Sequence, residues 1–145
     1  MTFNPRQILS AIVLLALVGI VVSSVSLYHH YDKSGSSFCD FGGSFNCDIV
    51  NRSIYSKIFE VPAALIGILG YLAIAGLSEL CRRNAKRKTF LLITALAGLG
   101  FALRLTYIEA FVLAAWCVLC LSSLAIILSI TILAATLVAR SNQSI

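Results

Sequence analysis

Four long apolar stretches, residues 8–27, 61–80, 90–108 and 117–138, alternate along this chain with shorter segments that hold most of its polar positions. A helix needs about 20 apolar residues to cross the hydrocarbon of a bilayer, where every backbone N–H and C=O must find its partner inside the segment. Each stretch is near that length, so the pattern predicts four transmembrane helices with little chain left over. Ala63 with Gly67, and Thr94 with Gly98 and Ala102, place small residues four apart, a spacing that lets helices approach closely in lipid. The expected fold class is an all-α membrane protein, with residues 1–145 forming a single four-helix bundle.

The links carry their own signals. Residues 29–60 begin polar and hold the Gly42-Gly43 pair, which suits a loop able to fold back on itself. Residues 53–59 are expected to form a short helix at the membrane surface with Ser53 as N-cap, and Pro62 suits the first turn of the second span. The link at residues 109–116 is short and mostly apolar, so it is expected to stay near the membrane surface and deliver Cys117 at the boundary.

Composition supports this class: 59% of residues are hydrophobic and 12% charged, with a mean hydropathy of +0.96. If the spans alternate, Arg6, Arg82, Arg83, Lys86, Arg87, Lys88 and Arg140 share one side, against Lys33, Arg52 and Lys57 on the other. The basic side is then cytoplasmic and both termini are inside. This topology accounts for the net charge of +5 without a nucleic-acid partner. Arg6 and Ser24-Val25-Ser26 resemble the ends of a signal peptide, but the apolar run between them is long for one.

Five cysteines add chemistry. Cys39, Cys47, Cys117 and Cys120 fall at the outer face, the oxidising side of a bacterial or reticular membrane, while Cys81 abuts the basic link. Cys117 and Cys120 form a Cys-x-x-Cys pair at the start of a helix, where both sulfurs lie on one face of the first turn and its unpaired amides stabilise a thiolate. Cys117, nearer the boundary, suits exchange with another thiol, and Cys120, one turn deeper, faces whatever sits in the bundle. Two buried inert cysteines or a structural disulfide are the plainer alternative. Zinc is disfavoured, because four thiolates would leave about −2 charge beside lipid and Cys39-x7-Cys47 is too widely spaced; no metal is expected.

With these residues in view, the chain resembles the vitamin K epoxide reductases and their bacterial homologues over nearly its whole length. The resemblance rests on Cys39-x7-Cys47 after the first span, Ser53 beyond it, the stretch Ile58-Phe59-Glu60-Val61-Pro62-Ala63-Ala64-Leu65-Ile66-Gly67, and Cys117-Val118-Leu119-Cys120 opening the last span. In quinone reductases of the DsbB type the Cys-x-x-Cys comes in the first outer loop, whereas here it comes last. The resemblance implies a membrane thiol oxidoreductase. Electrons would pass from a separate DsbA-like protein of thioredoxin fold to Cys39, from Cys47 to Cys117, and from Cys120 to a membrane quinone of ubiquinone, menaquinone or vitamin K type. It also implies that Ser53 steadies the loop, that Phe59 and Ser56 contact the quinone, and that the active site faces the periplasm of a bacterial inner membrane. Two departures stand out. Glu60 replaces the glycine usual in bacterial relatives, and Leu124 stands where animal enzymes carry a quinone-binding tyrosine, so quinone reduction is the safer expectation than epoxide reduction.

Other residues carry less. His29 and His30 are expected to lie among headgroups or in the loop, Asp40 and Asp48 in solvent, and Trp116 at the interface. Arg104 snorkels toward the outer surface with Glu109 as its neighbour on the same helix. The alternatives from other classes are a non-catalytic four-span protein stapled by outer disulfides, and a transporter or channel subunit, against which the scarcity of charge within the spans argues.

Overall fold

The computed structural model describes residues 3–31, 54 and 57–143. Its four long helices are α1 (Pro5–Tyr31), α2 (Ala63–Arg83), α3 (Lys88–Ile108) and α4 (Val118–Gln143). Four helical segments are long and apolar enough to cross a membrane, the third running with its flanking turns from Ala85 to Leu113. Their outer faces expose Leu14, Val21, Leu72, Ile93, Leu96 and Ile132. Helices apolar on every side suit a lipid surround, not water.

The helices stand in chain order around a square. α1 packs on α2 and α4, α3 packs on α4, and the looser α2–α3 seam closes the ring. At one end Arg82 donates to Ser10 Oγ at 2.8 Å and Arg140 donates to the Phe3 carbonyl. The chain's start and end, and the α2–α3 connection, with its 3-10 turn Ala85–Arg87, therefore share the basic end of the bundle. Cys81 is buried there, close to Arg87 and Lys88.

The solid core belongs to that same half. Ile12, Ala16, Ile74, Leu91, Ala95, Ile130, Ala134 and Leu137 pack into one buried cluster. Hydroxyls inside it bond to carbonyls, as in Ser78 Oγ to Ile74 O at 2.8 Å and Thr131 Oγ1 to Ile127 O at 2.7 Å. No hydroxyl there forfeits its bond in the apolar interior. Small residues set the helix spacing. A Cβ on Gly67 would come within 2.9 Å of Ser23 Oγ, and one on Gly19 within 2.5 Å of the Tyr71 ring. The predicted small residue Gly67 thus brings α2 onto α1, and Gly19 provides the seat for an aromatic ring.

Three local expectations are corrected. The surface helix cannot run to Phe59, because Lys57–Ile58 is a strand (β1) paired antiparallel with Val61–Pro62 (β2), in the register Lys57↔Pro62 and Ile58↔Val61. Phe59 and Glu60 form the tip, with φ of 51° and 68°. A two-residue hairpin turn of this hand needs positive φ at both central positions, and Glu60 holds one of them, where glycine would be unstrained. Ser53, the expected cap, lies outside the described residues. Pro62 is the extended residue before α2 and not part of its first turn. The third correction concerns α1, which runs on to Tyr31, so that His29 is buried in its last turn and not in the loop.

Gly19 and Tyr71 give a direct check of this packing. Gly19→Ala is expected to destabilise the bundle by about 1–3 kcal/mol through overpacking, read as a lower thermal midpoint in detergent. In a Tyr71→Ala background the same change should cost little. Equal losses in both backgrounds would mean that the ring does not sit on the Gly19 backbone.

Candidate active site

The link expected at residues 109–116 is largely helical. α3 continues into one π-helical turn, Glu109–Leu113, and stops at Ala114, whose φ of 49° is left-handed. A left-handed alanine costs roughly 1–2 kcal/mol. The N–H groups of Ala114 and Ala115 both bond to the Glu109 carbonyl, Ala115 at 3.2 Å, and hold the reversal closed.

Glu109 is only 1% exposed. Its Oε2 accepts the Cys117 N–H at 3.3 Å, and its Oε1 is buried with no hydrogen-bond partner among the described residues. The expected pairing with Arg104 does not form. Five residues place the two side chains about 140° apart around a helix, so Arg104 points outward while Glu109 points in. Among the described residues the ion pair is Arg82 with Glu79, at 3.5 Å.

Cys117 lies just before α4, fully buried at 0% exposure. Its carbonyl accepts the Leu121 N–H at 3.0 Å, which makes it the capping residue of the helix. The Cys120 thiol donates toward its sulfur and the amides of Leu119 and Cys120 point the same way; together they hold the Cys117 thiol below its ordinary range, against burial and the nearby Glu109 carboxyl. This is the first-turn effect on which nucleophilic cysteines depend. Both cysteines of the pair are free thiols.

Cys120, half-buried and one turn deeper, opens into a cavity of about 340 Å³ lined from all four helices. Ligand sites of about 300–1,000 Å³ are usual. Apolar side chains and glycines make most of the wall, including Gly67, Gly98 and Phe101. Besides the Cys120 thiol, its polar groups are Glu109, Tyr71, Thr94, Ser123 and the α1 serines Ser23 and Ser26. Tyr71 Oη lies 2.7 Å from Ser123 Oγ and donates to the Ser123 carbonyl at 3.0 Å.

Of the sequence-predicted site residues, Cys117 and Cys120 come together here. Cys39, Cys47, Ser53 and Ser56 lie outside the described residues. Phe59 is 95% exposed at the hairpin tip and does not line the cavity. Leu124 packs on the hydrophobic core, while Ser123 and Ile127 take the cavity-lining positions. The sequence reading missed Glu109, Tyr71 and Ser123 as site residues. A carboxylate in an apolar run eight residues before Cys117, and a hydroxyl three residues past Cys120, were the available signals.

A model of the vitamin K epoxide reductase family matches residues 10–135, most of the chain, and the chain belongs to that family. It is an integral, multi-pass membrane oxidoreductase.

If the Cys120 thiol supports the Cys117 thiolate, the pH profile of Cys117 alkylation, followed by peptide mass mapping, should have its midpoint below that of an ordinary thiol. Cys120→Ala should move that midpoint up, and Cys120→Ser, which retains a donor, should move it less. An unchanged profile in Cys120→Ala would remove the hydrogen bond as the cause.

Proposed function

We propose that this protein is a quinone-dependent thiol oxidase that supports disulfide-bond formation. The observation carrying the reading is that the Cys-x-x-Cys pair adjoins an apolar four-helix cavity, with Cys120 in its wall. The cavity suits a quinone ring: its volume is adequate, its walls are apolar, and the Glu109 carboxyl, with one oxygen unpartnered among the described residues, offers a hydrogen bond to a ring oxygen. A water-soluble nicotinamide would require a charged or glycine-rich phosphate site. A bound quinone supplies a two-electron, two-proton acceptor.

The chain's own residues do the rest. Cys39 takes up electrons from a separate DsbA-like partner, Cys47 passes them to Cys117, and Cys120 is the thiol at the acceptor. In this order Cys47 attacks Cys117, forming a Cys47–Cys117 disulfide and releasing Cys120 as thiolate; Cys39 then attacks Cys47, which frees Cys117, and the two protons of the outer dithiol leave Cys117 and Cys120 as the reduced pair. Ser53 steadies the loop segment that holds the outer pair. Ser56 supplies a further polar contact to the quinone, and Leu124 contributes by packing on the core next to the lining residue Ser123. The basic end of the bundle, with Cys81, faces the cytoplasm of a bacterial inner membrane, and the Cys117 end faces the periplasm.

In liposomes, a reduced thioredoxin-fold protein should drive reduction of ubiquinone or menaquinone, and Cys120→Ala should lower the rate by at least about 100-fold. Cys39→Ala should block the protein partner yet leave slow turnover with a small dithiol. Equal thiol oxidation in membranes stripped of quinone would overturn the reading. For orientation, a membrane-impermeant thiol reagent on intact reduced spheroplasts should label Cys39 or Cys47 and spare Cys81; strong external labelling of Cys81 would invert the topology.

A further inference from the structure

Glu109 is built into the site in a way that packing does not require. A carboxyl group in the apolar half of a membrane bundle is costly unless satisfied. This one has one oxygen anchored to the Cys117 amide at 3.3 Å, while the other is buried with no partner among the described residues. The side chain lines the cavity into which Cys120 opens, and the Cys120 thiol lies beside the carboxyl. The anchor fixes the position of the group, and the orphan oxygen leaves it a free proton-binding site next to a thiol that must lose its proton.

We propose that Glu109 is a catalytic proton carrier: its Oε1 takes the proton that leaves Cys120 when the Cys117–Cys120 disulfide closes, and presents it on the cavity side to the acceptor. This rests on the functional reading above. Closing the disulfide forms one S–S bond and breaks two S–H bonds, releasing two electrons and two protons. Reduction of a quinone consumes both electrons and two protons. The Cys120 proton travels by Glu109; the Cys117 proton is released toward the outer aqueous side, from which the quinone's second proton is drawn. Tyr71 and Ser123 keep their hydroxyls paired with each other, whereas the carboxyl has an oxygen with no partner among the described residues.

Glu109→Gln tests this, because the amide keeps the shape and an oxygen for the Cys117 N–H but cannot carry a proton. In single turnover with pre-reduced protein in liposomes, quinone reduction should slow by about 100-fold or more, the usual contribution of a positioned acid or base, with the KM for quinone within about threefold of wild type. A second readout needs neither quinone nor the variant's fold. In quinone-free protein carrying Cys39→Ser and Cys47→Ser, the reduced-minus-oxidised infrared difference spectrum should show a deuterium-sensitive carboxylic acid band, absent from the same protein with Glu109→Gln. If the wild type reduces no quinone, the functional reading fails and the band alone decides where the thiol proton goes. If the wild type turns over, the inference fails by itself when Glu109→Gln stays within about threefold of it. It also fails if no carboxyl band responds to oxidation of the pair, even when Glu109→Gln does not fold.

Discussion

One residue joins the third helix to the fourth, and the geometry of the site depends on it. Glu109 closes the end of α3 with its backbone carbonyl, which receives Ala114 and Ala115, and holds the start of α4 with its carboxyl, which receives Cys117. Backbone groups near lipid must be paired inside the protein, and here one side chain and its own carbonyl satisfy three N–H groups across a sharp reversal. The reversal sets Cys117 as the cap of α4 and turns Cys120 into the bundle.

The bundle is divided along its length. The basic half is filled by Ile12, Ile74, Leu91 and Ile130 in close contact, while the other half is hollow, with the small residues Gly67, Gly70, Gly98 and Ala102 in its lining. Dense packing at one end holds the helices while small residues at the other leave room for a guest. Tyr71 lies at the junction, its ring on Gly19 and its hydroxyl against Ser123, so the floor of the cavity is tied to three helices. Membership of the vitamin K epoxide reductase family accords with an architecture in which a dithiol and a hydrophobic cavity meet at one end of a membrane bundle.

The spans were legible because about 20 consecutive apolar residues have few other fates, and the observed helices contain the predicted ones apart from Val61, Pro62 and Cys117, which stand just before α2 and α4. The Cys-x-x-Cys was legible from spacing alone. The hairpin was not, since its tip uses Phe59 and Glu60 at positive φ where a sequence reader looks for glycine or asparagine. Glu109 was hidden for a different reason: helical spacing suggests partners three or four residues away, whereas its partner is eight residues on, across a chain reversal. Leu124 and Ser123 show how sensitive such transfers are to register, for one residue turns a helix by about 100° and moves the cavity face from one to the other.

The central claim is that a quinone occupies the cavity between the four helices, beside Cys120. Photolabelling with an azido-ubiquinone in liposomes, followed by peptide mapping, tests it most directly. Label should fall on peptides containing Gly67–Tyr71, Gly98–Ala102 or Cys120–Ile127, and excess ubiquinone should displace it. Label confined to outward-facing positions such as Leu72, Leu96 and Ile132, or undiminished by competing quinone, would contradict the account.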